Sequence, residues 1–134
     1  MATIKKYVTG TDAHEVLQGL VGTNQVTLDF GDNPASSGDV VQALKVRKGF
    51  FVHSVVARVI EGEGSDIEIE VGSTADPKGY IKELSVENPK TITLNSEWWA
   101  GYFYEQDSTV DVKLNGNLTK CIVQIIILYT VNPV

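Results

Sequence analysis

The sequence contains a single cysteine, Cys121, and only two histidines, His14 and His53, in 134 residues. One cysteine excludes an intrachain disulfide, and so few histidines exclude the clustered Cys/His patterns that ligate zinc. Basic residues are in the minority, with 11 Lys and Arg against 17 Asp and Glu, a formal net charge of −6. A protein that holds nucleic acid by neutralising phosphates needs the opposite balance, so no direct nucleic-acid contact is expected. Long apolar runs are missing too. The longest, residues 121–131, is interrupted by Gln124 and Thr130, and a membrane helix takes roughly 20 apolar residues. Residues 1–10 carry two lysines without an apolar run of signal-peptide length behind them. No membrane contact is expected, and synthesis in a reducing cytosol is the default. What remains, 43% hydrophobic and 21% charged residues, is the composition of one globular domain.

The pattern that is present has period two. From about Gln25 onward, Val26, Leu28 and Phe30 alternate with Thr27 and Asp29. Ile67, Ile69 and Val71 alternate with Asp66, Glu68 and Glu70. Ile92 and Leu94 alternate with threonines, and Val110, Val112 and Leu114 alternate with Asp111 and Lys113. Such alternation specifies strands with one face in a core and the other in water. Turn signals separate the runs: Gly31-Asp32-Asn33-Pro34, the 61–66 stretch EGEGSD, Asp76-Pro77-Lys78-Gly79, Asn88-Pro89, Gln106-Asp107-Ser108 and Asn115-Gly116-Asn117. Asn-Gly suits a tight hairpin, so the strand ending at Leu114 is expected to pair directly with the one after Asn117. About eight strands at this spacing predict an all-β, antiparallel sandwich over residues 25–134.

The first 24 residues stand apart as an N-terminal arm. Within it, residues 11–18 have the signature of a short helix, with Thr11 or Asp12 as the cap, Glu15 three residues after Asp12, and Gly19 and Gly22 to end it.

Two strands are apolar on both parities. In 50–60, Phe51, Val55, Ala57 and Val59 share one parity, and Val52, Val56 and Ile60 share the other. In the last strand, Cys121, Val123, Ile125, Ile127, Tyr129 and Val131 share one parity, while Ile122, Ile126 and Leu128 share the other with Gln124 and Thr130. A strand of this kind is covered on both sides, either by its own chain or by another subunit. The subunit interface is the favoured reading, which makes Ile122, Ile126 and Leu128 candidate contact residues.

Residues with the chemistry of a catalytic or metal site are scattered. Neither histidine has a companion at ligand spacing, and Cys121 is expected to point into the sheet without a neighbouring base. Glu68 and Glu70 lie on a solvent face, and the three carboxylates of 61–66 lack the ligand pattern of a known calcium loop. No catalytic residue, metal site or cofactor is expected. The most distinctive local feature is aromatic, over residues 98–104. Strand alternation would send Trp98, Tyr102 and Tyr104 to one face and Trp99 and Phe103 to the other. Such a row packs a core, anchors a protein interface or, less readily, stacks a sugar.

Residues 38–81 carry a resemblance. A long Val-rich strand is followed by Asp66, Val71, Gly72, Asp76, Pro77, Gly79 and Tyr80 in a D-x-x-x-x-V-G-x-x-x-D-P-x-G-Y arrangement. This stretch resembles the small β-sandwich head proteins that decorate, or cement, the capsids of tailed bacteriophages, with Lys78 where that pattern is commonly small and acidic. The resemblance covers about a third of the chain. It implies a jelly-roll-like sandwich that acts without catalysis in the virion, on the capsid exterior. The implied partners are the major capsid protein and further copies of the chain in a homotrimer. The arm would then be free to lie on the shell, with Lys5, Lys6 and Tyr7 as first contacts. The alternative is a carbohydrate-binding or host-recognition module built on the 98–104 aromatics.

Overall fold

The computed structural model describes residues 3–5, 21–93 and 96–131. Among these there is no helix, and ten strands form two sheets. The strands are β1 (Thr3–Lys5), β2 (Val21–Asp29), β3 (Val40–Val46), β4 (Phe50–Glu61), β5 (Glu68–Gly72), β6 (Ile81–Ser85), β7 (Lys90–Thr93), β8 (Tyr102–Phe103), β9 (Ser108–Leu114) and β10 (Ile122–Val131). One sheet runs β1-β3-β9-β5-β6 and the other β2-β10-β4-β7, with β8 also pairing with β4. All pairings are antiparallel except β1 with β3, which is parallel.

The core lies between the sheets and is built from the alternating positions the sequence marks. Val26 and Leu28 face it from β2 and Phe30 from just beyond its end, Ile69 and Val71 from β5, Val110, Val112 and Leu114 from β9, and Val123, Ile125, Ile127 and Tyr129 from β10. Cys121 is buried with them. Phe50 stacks on Tyr129 with ring centroids 4.3 Å apart and nearly parallel rings.

Three expectations change. First, β2 begins at Val21 and so takes in residues placed in the arm. Val21, Gly22, Thr23 and Asn24 carry no alternating signal of their own, but the ladder to β10 runs unbroken from Asp29↔Ile122 to Val21↔Thr130 and holds them extended. At the other end of the arm, Thr3, Ile4 and Lys5 pair with Val40, Val41 and Gln42. The short helix expected over residues 11–18, together with His14, Lys6, Tyr7 and Leu94, lies outside the described residues.

Second, β9 and β10 do not form a hairpin. β9 pairs with β3 and β5 in one sheet, and β10 pairs with β2 and β4 in the other. The connection is a corner. Asn115 N–H donates to the Glu68 carbonyl at 3.0 Å, and Leu118 bridges to Ala35. Gly116 lacks the positive φ that a two-residue hairpin turn of Asn-Gly type needs.

Third, the parity of β4 switches partway along. Tyr129 pairs with Val52 and Leu128 with Ser54, so His53 is the extra residue of a β-bulge. Phe50, Val52, Val55, Ala57 and Val59 therefore share the core face, whereas Phe51 and Val56 face outward, half-buried. The doubly apolar character of this strand comes partly from the bulge.

Candidate functional site

The Asp76-Pro77-Lys78-Gly79-Tyr80 motif is where the local sequence most tightly determines the structure. Ser73 N–H and Gly79 N–H both donate to the Asp76 carbonyl, at 3.0 and 3.1 Å, and Lys78 N–H donates to the Asp76 carboxylate at 3.1 Å. Gly72 must be glycine because a Cβ there would sit 2.1 Å from the Asp76 carbonyl oxygen. The turn drives Tyr80 into the core, where its hydroxyl shares a 2.6 Å hydrogen bond with that of Tyr104. Burial, reinforced by this pairing, raises the Tyr80 phenol well above its ordinary range. Burial likewise pushes Tyr104 up to about 12. The pair is a neutral structural link between the motif and the aromatic run.

That run is not a continuous strand. Residues 97–100 form a turn and only Tyr102 and Phe103 pair with β4, opposite Val52 and Phe51. Trp98, Tyr102 and Tyr104 nevertheless cluster. Trp98 stacks on Tyr102 with centroids 3.9 Å apart, and Tyr102 meets Tyr104 edge-on at 4.9 Å. Tyr80, absent from the sequence-based candidate set, completes the cluster edge-on to Trp98 at 4.8 Å. The motif that ends on it, Gly-Tyr after Asp-Pro, was the signal that could have placed it there. Trp98 lies against Gly79, where a Cβ would fall 2.3 Å from the indole. Tyr104 is buried and serves the core, so it offers no surface to a partner. Trp99 is the exception, 73% exposed.

The second candidate surface is the outer face of the β2-β10-β4-β7 sheet. β10 is central in this sheet, and its outward side chains Ile122 and Ile126 are half-buried while Leu128 is 37% exposed. The ladder places Val56 beside Ile126, and Ile60 is 41% and Val21 64% exposed. Polar residues interrupt the face: Gln124 Nε2 donates to Gln25 Oε1 at 3.1 Å, and His53 Nε2 lies 3.0 Å from Thr130 Oγ1. Of the expected arm contacts, Lys5 has its backbone in β1.

Elsewhere the ionisable groups serve the fold. Glu63, from the acidic 61–66 stretch, reaches across to the start of β10. Its carboxylate accepts hydrogen bonds from the N–H groups of Thr119 (3.2 Å), Lys120 (3.1 Å) and Cys121 (3.0 Å) and from the Thr119 hydroxyl (3.2 Å). Partial burial alone would raise its pKa, but these donors together outweigh that and hold it below the ordinary carboxylate value. Asp66 accepts from the Ser85 hydroxyl at 3.2 Å. Burial, with the Glu63 charge nearby, pushes the Cys121 thiol up to about 12, far from the range of a nucleophilic cysteine. Among the described residues, no three of His, Cys, Asp or Glu converge as metal ligands would.

No protein-family model matches the sequence, and no curated protein matches it. Solved structures match the fold. A chain in the capsid of Ralstonia phage GP4 superposes with a TM-score of 0.71 at 13% identity, covering 98% of this chain and 99% of that one. A chain in the cyanophage Pam1 capsid asymmetric unit gives 0.71 at 15% identity, with 87% and 88% covered. A chain in the acid-stable capsid of the Helicobacter pylori bacteriophage KHP30 gives 0.67 at 15% identity, with 87% and 92% covered. At these identities what is shared is the fold: two β-sheets packed as a sandwich over essentially the whole chain.

Proposed function

We propose that the chain is a non-enzymatic structural protein of a bacteriophage virion, binding the outside of the capsid as a decoration, or cement, protein. The observation that carries this reading is the end-to-end match to a chain of a phage capsid, 98% of one and 99% of the other. The correspondence runs along nearly all of both chains. The motif resemblance over residues 38–81 supports the same reading from sequence. The strand order supports a jelly roll: without β1 and β8, the two layers are β2-β10-β4-β7 and β3-β9-β5-β6, eight strands whose connections repeatedly cross between sheets.

A cement protein works by bridging. Each capsid contact is weak alone, and joining copies in a homotrimer makes the second and third contacts effectively intramolecular. The outer face bearing Ile122, Ile126 and Leu128 fits the subunit contact, since burying its apolar side chains in another copy removes them from water. Trp99 and the N-terminal residues Lys5, Lys6 and Tyr7 are the proposed capsid contacts. Sedimentation velocity of the full chain at micromolar concentration tests the assembly: the expected species is a trimer, and a strict monomer across the concentration range contradicts it.

A further inference from the structure

A β-bulge lifts a histidine onto the apolar outer face of the β2-β10-β4-β7 sheet. Tyr129 pairs with Val52 and Leu128 with Ser54, which leaves His53 without a mate in the ladder. Bulges re-aim side chains, and this one turns the exposed imidazole outward. We propose, on the reading that this face joins copies of the chain, that His53 makes the contact hold at neutral pH and release in mild acid.

The strand register fixes where the imidazole lies. One cross-strand row runs Val21, Thr130, Phe51, and the next runs Thr23, Leu128, Ser54. His53 sits between the two rows. Its Nε2 lies 3.0 Å from Thr130 Oγ1, and its ring meets Phe51 edge-on with centroids 4.6 Å apart. Val21 and Leu128, both exposed, belong to these rows. A second copy that covers those apolar side chains covers the imidazole with them.

The charges around it decide what a proton does. Beside His53, β10 presents Leu128 and Thr130, β2 presents Val21 and Thr23, and β8 presents Phe103, none of which ionises. Tyr129 is buried in the core, and Tyr102 packs against Trp98 and Tyr104. Along β4, Arg58 and Glu61 stand at least about 15 Å away at the rise of a strand. Lys90 of β7 is opposite Val59, and Asp29 of β2 is opposite Ile122, both at the far end of the sheet. Glu105 follows Tyr104, which is level with Gly49, on the other side of Phe51. By register, no carboxylate of the described residues adjoins His53. A neutral imidazole keeps its Thr130 partner and tolerates apolar cover. An imidazolium under the same cover loses its hydration and gains no counter-charge. The free chain therefore takes up in acid a proton that the joined chain resists, and proton uptake draws the copies apart. The contact is complete above the ordinary imidazole range, about pH 6.5, and is lost below it. If the joined state excludes the proton, pH 5 weakens the contact about 30-fold per copy.

The test is sedimentation velocity of the full chain over a concentration series at pH 8 and at pH 5. The parent should assemble at pH 8, and its half-assembly concentration should rise about tenfold or more at pH 5. His53→Gln retains a hydrogen-bonding group for Thr130 but does not titrate, so its assembly should be alike at both pH values. His14→Gln should switch as the parent does. Because His53→Gln also alters a contact residue, the imidazole is followed directly by NMR in the parent. Its C2–H signal should titrate at lower pH in the assembled protein than after dilution to monomer. A parent that assembles equally at both pH values, an equal acid loss in His53→Gln, or one titration at both concentrations overturns the proposal and leaves the subunit contact standing. A parent that is monomeric even at pH 8 overturns both.

Discussion

Glu63 shows how much a single side chain can hold. Four donors from Thr119, Lys120 and Cys121 converge on its carboxylate, joining the β4–β5 connection to the first residue of the longest apolar run. A carboxylate whose folded pKa is depressed stabilises the fold fully above its ordinary value of 4.5, and that contribution is lost as the pH falls through the lower folded value. Glu63→Gln keeps an acceptor but loses the charge, so it should cost about 1 kcal/mol at neutral pH, the site being half-exposed. Urea melts from pH 7 downward should show the two proteins converging in acid; a constant gap would contradict the charge-based account. Gly79 is a packing counterpart. Any Cβ there displaces the Trp98 ring, so Gly79→Ala should cost about 1–3 kcal/mol and change tryptophan emission, both readable in one fluorescence-monitored melt. Neither role was legible in sequence. EGEGSD reads as solvated acid, because nothing local to it names the distant 119–121 backbone. Gly79 was visible as a turn residue, but its partner lies 19 positions on.

Strand periodicity was the most readable level. Val26, Leu28 and Phe30, or Val110, Val112 and Leu114, announce both the strand and its buried face, because a period of two admits only one assignment when the opposite face is polar. β4 was misassigned where His53 bulges out, since an inserted residue inverts the parity without altering composition. The Asn115-Gly116 corner was misread for a related reason: turn propensity marks a change of direction and says nothing about which sheet the next strand joins. β10 was read correctly on its inner face, and its outer face now carries the assembly claim. Ile125 and Ile126 are adjacent and chemically identical, yet one is fully buried and the other half-exposed. Ile125→Ala should therefore cost about 2–5 kcal/mol of stability. Ile126→Glu should leave the folded chain within about 1 kcal/mol of the parent while converting the proposed trimer to monomer in sedimentation velocity. A trimer that survives Ile126→Glu would move the interface elsewhere.

For the whole molecule, the proposed role is assembly. Glu63 is spent on an internal link, the cysteine is buried with its thiol pKa raised, and the large exposed apolar side chains among the described residues sit on one sheet face and at Trp99. The fold class was legible from alternation alone, and the motif-bearing third of the chain suggested a sandwich of the kind that the phage capsid chains share. The aromatic cluster around Tyr80 was not legible in sequence, because it joins residues 80 and 104 through a turn that breaks strand alternation. The most direct test of the proposed capsid role is co-sedimentation of the purified chain with expanded, undecorated shells of the cognate major capsid protein, with bound copies counted per shell. The expected result is saturable binding with a stoichiometry set by the three-fold positions of the shell and greater resistance of the shells to heat. A chain that stays in the supernatant with intact shells, and leaves their melting unchanged, would contradict it.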